Sequence, residues 1–320
     1  MRVVPFSDGH VEPAGRLLAA RHAEHRRATP LLDPRFAAVP DAAAEVARVW
    51  ASEGASGSVV LEPDDEVAGY LLGAPRDSTT WGPNVWVEAA GLAVSRVELF
   101  RELYASSAQQ WVDAGRTAHY VVVPAHDESV AWAWFGLGFG QQHVHALRDV
   151  PPRARRGAAD ARVRRALVDD IAALALLDLE LPRHQGASPV FSSGAIPSVA
   201  EAETEWAATL PDHHFGCFVA ESDGVVVGSA VGCPLELSSL HSPLMRPAHA
   251  GFLGFAAVFA QYRGHGLGRA LGEAVLDWCA ESGFAAVATD WRATNLQSSR
   301  AWPRLGFEPS FLRLHRVVGY

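Results

Sequence analysis

The sequence contains no lysine: all 27 of its basic residues are arginine. Schiff-base lysine chemistry is therefore excluded, and so is a Walker A phosphate loop, because that loop requires a lysine after its last glycine. Cysteine is almost as rare. Cys217, Cys233 and Cys279 show no Cys-x-x-Cys or Cys/His ligand spacing. We interpret them as buried small hydrophobes in a reducing compartment, and we predict no metal site.

Long hydrophobic runs are also missing. The N-terminus MRVVPFSDGHVEP has no apolar stretch long enough for a signal peptide, and the run GFLGFAAVFA is far too short to span a bilayer. We therefore predict a cytoplasmic protein with no membrane partner. The formal net charge of −9 argues against a nucleic-acid partner and permits a cationic substrate such as an amine.

An internal repeat organises the chain. AHYVVVPAHDESVAWAWFGLGF, from Ala118, and AAVATDWRATNLQSSRAWPRLGF, from Ala285, share a β-branched run, a polar break, a short helical segment with Trp and a Leu-Gly-Phe triplet. The two triplets lie about 170 residues apart, which is the size of one domain. A Pro/Arg-rich stretch between the copies indicates a linker at 151–158. We predict one fold used twice, in domains at 1–150 and 159–320.

Each half combines a hairpin with an alternation of strands and helices. Pro63-Asp64-Asp65 in the first half and Ser222-Asp223-Gly224 in the second place turn residues between two apolar runs. Further strands and helices alternate after each hairpin. The predicted fold class is α/β with α+β character, in which each of two tandem domains is a mixed, mostly antiparallel sheet flanked by helices.

The stretch QYRGHGLGRALG, residues 261–272, places four glycines at the start of a predicted amphipathic helix. One interpretation is a turn that lets the helix pack close to its strand. A second is a dinucleotide-binding loop, although the spacing Gly-x-Gly-x-Gly fits that motif poorly. A third is a pyrophosphate site, because N–H groups of an open loop and a helix N-terminus converge on one anion. Arg263 and Arg269 would add positive charge, and the glycines would let phosphate approach the backbone.

Two motifs carry a resemblance to a known family. RGHGLG, residues 263–268, resembles the R/Q-x-x-G-x-G/A pyrophosphate loop of the GCN5-related N-acetyltransferase (GNAT) superfamily, and NLQSSRAWPRLGF, from Asn295, resembles that family's last conserved block. The resemblance implies that residues 159–320 bind acetyl-CoA, with backbone N–H groups at 258–260 binding pantetheine and polarising the thioester. The cofactor-binding residues that it implies are Val258, Phe259, Ala260, Arg263, Gly264, His265, Gly266, Leu267, Gly268, Arg269, Asn295 and Ser298.

The first half is similar to the family only in its layout. VEAAGLAV, residues 87–94, looks like the strand before the loop, but SRVELFRELY follows it without any glycine. Without open backbone there is no cradle for a pyrophosphate. We therefore interpret residues 1–150 as a degenerate GNAT-like domain without a cofactor loop. It would complete the acceptor pocket or replace the partner of a homodimer, so a monomer or a homodimer is expected.

The residue that removes a proton from the amine is not marked by any motif. Where the family often has a glutamate early on the strand before the loop, this chain has Phe252 and Leu253. The candidates are Asp290 at the end of AVATD, His214 in PDHHF, and Glu88 at the comparable position of the first half. Each also has a structural interpretation: a capping or loop carboxylate, an exposed loop histidine and a strand-face carboxylate, respectively.

The proton donor to the leaving thiolate is equally open. Trp302 stands seven residues after Asn295, where the family often places a tyrosine, and an indole has no proton of comparable acidity. Asn295 itself is predicted to cap the following helix. His22 and His25 are spaced i,i+3 on a predicted helix without a carboxylate neighbour, so we predict a solvated helix face there instead of a metal site.

The predicted function is an N-acetyltransferase that moves an acetyl group from acetyl-CoA to a small-molecule amine, an antibiotic or a metabolite, by direct attack in the C-terminal domain. Three alternatives stay open. One is a mycothiol-synthase-like acetyltransferase acting on a cysteinyl pseudodisaccharide. The second is a non-catalytic sensor that binds acyl-CoA, which the missing tyrosine and glutamate favour. The third is a purely structural tandem domain, which would bind no cofactor.

Overall fold

A computed structural model of the chain describes residues 1–77, 81–150, 162–192 and 194–319. The chain divides into two compact units. The first unit contains Met1–His145, Ser242–Arg246 and Pro309–Tyr320, and the second contains Ala146–His241 and Pro247–Glu308. The predicted linker at 151–158 lies outside the described residues, and the predicted division into domains at 1–150 and 159–320 stays a prediction.

In the first unit, apolar runs separated by turn residues form an antiparallel sheet with the strand order β1-β2-β3-β5. Asp65, between β2 and β3, has the left-handed backbone (φ 68°) of a tight turn, as the sequence predicts there. Two further pairings are parallel β4–β6 and antiparallel β6–β13. The elements are β1 (Arg2–Pro5), α1 (Val11–Ala28), α2 (Val39–Trp50), β2 (Ser56–Leu61), β3 (Val67–Gly73), β4 (Asn84–Val87), β5 (Leu92–Val94), α3 (Leu99–Asp113), β6 (Ala118–Pro124), α4 (Glu128–Gly136), β7 (Gly140–Asp149, in which the boundary between the units falls) and β13 (Glu308–Val317).

In the second unit, five strands are neighbours in a sheet in the order β8-β9-β10-β11-β12. Its neighbours are antiparallel except for β11 and β12, which are parallel. Asp223 and Gly224 join β9 to β10 with φ of 52° and 77°, so the predicted hairpin is confirmed. The elements are β8 (Val163–Arg165), α5 (Ile171–Asp178), α6 (Glu180–Gly186), α7 (Val199–Thr209), β9 (Gly216–Ser222), β10 (Val225–Pro234), β11 (Ala250–Val258), α8 (Leu267–Glu281), β12 (Ala286–Arg292) and α9 (Leu296–Arg304).

The predicted fold class is confirmed, since mixed sheets carry helices in both units. Helix α8 shows how the second unit is packed. Its predicted apolar face is buried, and the Trp278 ring lies directly on β9 and β10 at two glycines: a Cβ added to Gly216 or Gly232 would come within 2.5 or 2.9 Å of that ring. This close approach holds α8 against the sheet and thereby fixes the position of its N-terminus.

The internal repeat has the same local structure in both copies. A side-chain oxygen caps the N-terminus of each short helix: Asp127 accepts from the Val130 N–H of α4, and Asn295 accepts from two N–H groups of α9. At the other end, Gly138 and Gly306 both have φ of 83°. The following phenylalanine N–H then donates to the carbonyl five residues back, at 3.2 Å in each copy. The Leu-Gly-Phe triplet is therefore a glycine C-cap signal.

Two predicted strands differ in their limits from the strands of the structure. The β-like run FAAVFA, residues 255–260, predicts a strand that extends to residue 260. In the structure β11 ends at Val258, and residues 260–262 form a 3-10 turn in which the Tyr262 N–H donates back to the Phe259 carbonyl. In the first unit, VEAAGLAV is broken into β4 and β5. The break is a turn in which the Gly91 N–H donates to the Glu88 carbonyl.

The prediction of a solvated helix face at His22 and His25 is wrong, because each histidine is only 1% exposed. The His22 Nε2 lies 2.8 Å from the Asp33 carbonyl oxygen, and the His25 ring stacks on His126 and contacts the Phe311 ring edge. Helix α1 packs against α2 and the sheet, so its i,i+3 face is interior. Burial lowers the pKa of His22 to about 4 and, with the nearby His126, that of His25 to about 2.

The lowered pKa values of these two histidines predict a loss of stability in mild acid. In the unfolded chain both histidines become protonated near pH 6.5, whereas in the folded chain they stay neutral. The free energy of unfolding therefore falls as pH decreases from about 6.5 to about 4, by up to about 1.4 kcal/mol per pH unit for each histidine. Above that range their contribution is constant. Urea unfolding between pH 7.5 and 5 measures the slope. His25→Gln is expected to flatten it, whereas His213→Gln, at a side chain 87% exposed, is expected to leave it unchanged.

Among the described residues, no helix is both long enough and apolar enough to cross a membrane.

Candidate functional site

The candidate site opens where two parallel strands of the second unit stop pairing. The register between β11 and β12 ends at Leu253 opposite Thr289, although β11 continues to Val258 and β12 to Arg292. Beyond that point β11 pairs with β10 on its other side. Backbone groups of β11 that face away from β10 are thus available to a ligand that enters between the strands.

The glycine loop follows β11 and leads into α8. Gly264 and Gly266 have φ of 85° and 83°, so their backbone conformation favours glycine. Gly268 lies within the first turn of α8 and has no positive φ. A Cβ added to any of the three would meet no atom within 4 Å. These glycines therefore do not let the helix pack on its strand, and Gly268 keeps space open in front of the helix end.

The helix end supplies hydrogen-bond donors to this space. The first intrahelical bond of α8 runs from the Ala270 N–H to the Gly266 carbonyl, so the N–H groups of Leu267, Gly268 and Arg269 precede the helical ladder. The helix dipole places partial positive charge at the same end. An anion with two phosphate groups fits this arrangement, because it needs several N–H donors and no side chain in its way.

A cavity of about 330 Å³ lies over the loop and the unpaired part of β11. Most of the cofactor-binding residues that the resemblance implies line it; Phe259, Ala260 and His265 do not. The Phe259 N–H is instead bonded to the Val227 carbonyl, and His265 is exposed. The lining residues are Glu180, Leu181, His184, Ala256, Ala257, Val258, Tyr262, Arg263, Gly264, Gly266, Leu267, Gly268, Arg269, Asn295, Gln297, Ser298, Ala301 and Trp302.

Two arginines bring positive charge to the cavity, and both have protein partners. The Arg263 Nε donates to the Val258 carbonyl at 2.9 Å, which ties the loop to the end of β11. The Arg269 Nε donates to Glu273 one turn further along α8, at 2.7 Å. Arg263 is the more enclosed of the two, with 31% of its side chain exposed against 71% for Arg269.

Asn295 is buried to 4% exposure and has the predicted capping role. Its Oδ1 accepts from the Gln297 and Ser298 N–H groups at 3.1 and 3.2 Å and lies 3.3 Å from the His184 Nε2. His184 belongs to α6, which contributes Glu180, Leu181 and His184 to the cavity wall. The sequence analysis missed this helix, because nothing in a short segment far along the chain indicates what it will face.

Asp290 lies on β12 one residue beyond the last pair with β11, and its side chain is 15% exposed. Its Oδ2 is 3.9 Å from the Nε2 of His241, a histidine with 2% exposure whose Nδ1 lies 2.8 Å from the Ser238 hydroxyl. Asp290 does not line the cavity, but it stands where the two strands stop pairing. Its role as a proton acceptor therefore stays a prediction.

The other two candidates lie in different surroundings. His214 is in a turn, half exposed, with its Nδ1 2.8 Å from an oxygen of Asp212. Glu88 is held by Arg48 and Arg76 at 2.6 and 3.2 Å. Burial alone would raise the pKa of Glu88, but the two arginines outweigh it and the pKa lies below its usual value. The pairing favours the structural interpretation of Glu88, since an ion-paired carboxylate of low pKa is a weak base.

Trp302 lines the cavity from the last turn of α9, with 9% exposure. Its counterpart in the repeat, Trp134, is completely buried among Phe100, Tyr104 and Phe139 in the first unit. The two tryptophans thus differ in surroundings: one is a wall of the candidate site, and the other is a core residue.

Comparisons with known proteins agree with this geometry. The profile of the Acetyltransferase (GNAT) family matches residues 176–307, which include the cavity. A GCN5-related N-acetyltransferase from Sphaerobacter thermophilus has a similar structure, with a TM-score of 0.58 and 15% identity over 99% of this chain and 96% of that one. A tandem GNAT protein from the clavulanic acid biosynthesis pathway aligns over 100% of this chain and 99% of its own, with a TM-score of 0.50 and 20% identity. A search of curated protein sequences finds no significant match. The whole chain therefore has the tandem fold.

Proposed function

We propose that this chain, which carries an acetyltransferase (GNAT) domain at residues 176–307, binds acetyl-CoA in the cavity beside α8 and transfers the acetyl group to the amine of a small molecule. The observation that supports it best is the open space at Gly268. That residue needs no special backbone conformation and avoids no clash, and a pyrophosphate bound at the helix end would account for its missing side chain. Its neighbours offer the N–H donors that a pyrophosphate requires.

In this proposal the unpaired end of β11 holds the pantetheine arm. N–H groups between Gly254 and Val258 that face away from β10 would bond the arm and polarise the carbonyl of the thioester, as an oxyanion site does. Asn295 and Ser298 would contact the cofactor from the start of α9. When bound, acetyl-CoA supplies an activated acyl group and a good leaving group.

Asp290 is the proposed proton acceptor. An amine is mostly protonated at neutral pH, so a proton must leave its nitrogen before attack, directly or through a water. Asp290 stands at the point where β11 and β12 separate, and the Nε2 of His241 lies 3.9 Å from its carboxylate. The amine then attacks the acyl carbon, the carbon–sulfur bond breaks, and the thiolate takes up a proton from solvent.

The acceptor in this proposal is a small molecule such as an antibiotic or a metabolite. A second candidate function is a sensor that binds acyl-CoA without turnover. Trp302 favours it, because this residue lines the cavity where the resemblance places a tyrosine acid. The two functions differ in the release of free thiol.

Calorimetric titration of the intact protein with acetyl-CoA tests the proposal. We expect saturable binding near one molecule per chain, because only the second half carries the glycine loop. Free thiol released with a panel of small amines then separates an enzyme from a sensor. Two molecules per chain would show that the first half is not degenerate. The absence of binding would refute the proposal.

A further inference from the structure

One carboxylate lies inside the candidate cavity. Glu180, the first residue of α6, lines the wall with 20% of its side chain exposed. Its Oε2 is 3.6 Å from a terminal nitrogen of Arg263, and its Oε1 is 3.6 Å from one of Arg183. A fixed negative charge is unexpected in a site whose other features favour anions.

We propose that Glu180 competes with the phosphate groups of coenzyme A for Arg263 and thereby weakens cofactor binding. This inference rests on the proposed function. Arg263 is tied by its Nε to the Val258 carbonyl, so its terminal nitrogens remain as the groups that a phosphate can reach. Glu180 already occupies one of them. An incoming phosphate must share that nitrogen or displace the carboxylate.

The contact is of a kind that a ligand can exchange. At 3.6 Å it is longer than a charge-assisted hydrogen bond, and Arg263 and Glu180 are both partly exposed. The phosphate that binds Arg263 would therefore gain an arginine at the cost of separating a modest ion pair. The consequence is faster release of the product coenzyme A, a step that limits turnover in many enzymes.

Calorimetric titration with coenzyme A tests this role in the intact chain. Glu180→Gln keeps the size of the side chain and removes its charge, and we expect the dissociation constant to fall about three- to tenfold, because Arg263 can then bind a phosphate without first giving up a carboxylate partner. Glu281→Gln is the matched control. It removes the same charge from the opposite end of α8, about 20 Å away by the rise of the helix, and is expected to leave the constant unchanged.

A double-mutant cycle shows whether the effect acts through Arg263. In an Arg263→Gln background, Glu180→Gln is expected to change the dissociation constant less than twofold. Unchanged or weaker binding by Glu180→Gln in the native background would overturn the inference and leave the proposed function intact. If the native protein binds no coenzyme A, the proposed function fails first.

Discussion

A Gly268→Leu variant is expected to bind acetyl-CoA at least a hundredfold more weakly than the native protein while it stays folded. The leucine would project into the open space at the start of α8, where a Cβ meets no protein atom within 4 Å. A bound pyrophosphate would need the same space, and separating it from the N–H groups by a side chain removes several hydrogen bonds at once. Calorimetric titration of the variant with acetyl-CoA measures the loss.

The stability of the same variant is part of the test. Glycine is about 0.8–1 kcal/mol less favourable than alanine in a helix, and leucine ranks just below alanine. Because residue 268 has a helical backbone, the melting temperature of the variant is expected to be unchanged or higher. If the variant is as stable as the native protein but does not bind acetyl-CoA, the loss is assigned to the N–H groups at the start of α8. Native affinity in the folded variant would mean that the pyrophosphate does not lie against Gly268.

A Trp134→Ala variant is expected to destabilise the protein by about 3–5 kcal/mol, since it empties a large volume in the middle of a core. The ring has 0% exposure, and its centroid lies 5.4 Å from that of Phe100 and 4.9 Å from that of Phe139. Chemical denaturation monitored by far-ultraviolet circular dichroism, instead of tryptophan fluorescence, gives the change in the free energy of unfolding.

Trp132, two residues earlier on the same helix, is the matched control. It is 68% exposed, so Trp132→Ala is expected to change the free energy of unfolding by less than about 0.5 kcal/mol. Equal losses in the two variants would contradict the assignment of Trp134 to the core. The pair also separates packing from helix propensity, because both substitutions replace tryptophan by alanine in α4.

Features carried by adjacent residues could be predicted from the sequence. The apolar face of α8, the cap at Asn295 and the hairpin at Asp223 and Gly224 follow from helical periodicity, side-chain chemistry and turn conformations, all of which act over a few residues. The end of β11 was missed by two residues, because a 3-10 turn and a strand end have no distinct composition.

Features that join distant segments could not be predicted. Glu88 meets Arg48 across 40 residues, and Asn295 meets His184 across 111. Neither pairing leaves a periodic or local signal, so the charge state of Glu88 and the role of α6 required coordinates. The burial of His22 and His25 was missed for a related reason, since a helix with polar residues on several faces does not reveal which face packs inward.

The pairing of β13 with β6 constrains how the chain can be made. The two strands join residues 118–124 to residues 311–317, within the first unit. During synthesis, β6 leaves the ribosome about 190 residues before its partner, and β13 belongs to a pairing of very high contact order. The first unit thus cannot finish folding before nearly the whole second unit has been translated. During that time the edge of β6 that pairs with β13 in the folded chain has no partner strand, and chaperones can bind it.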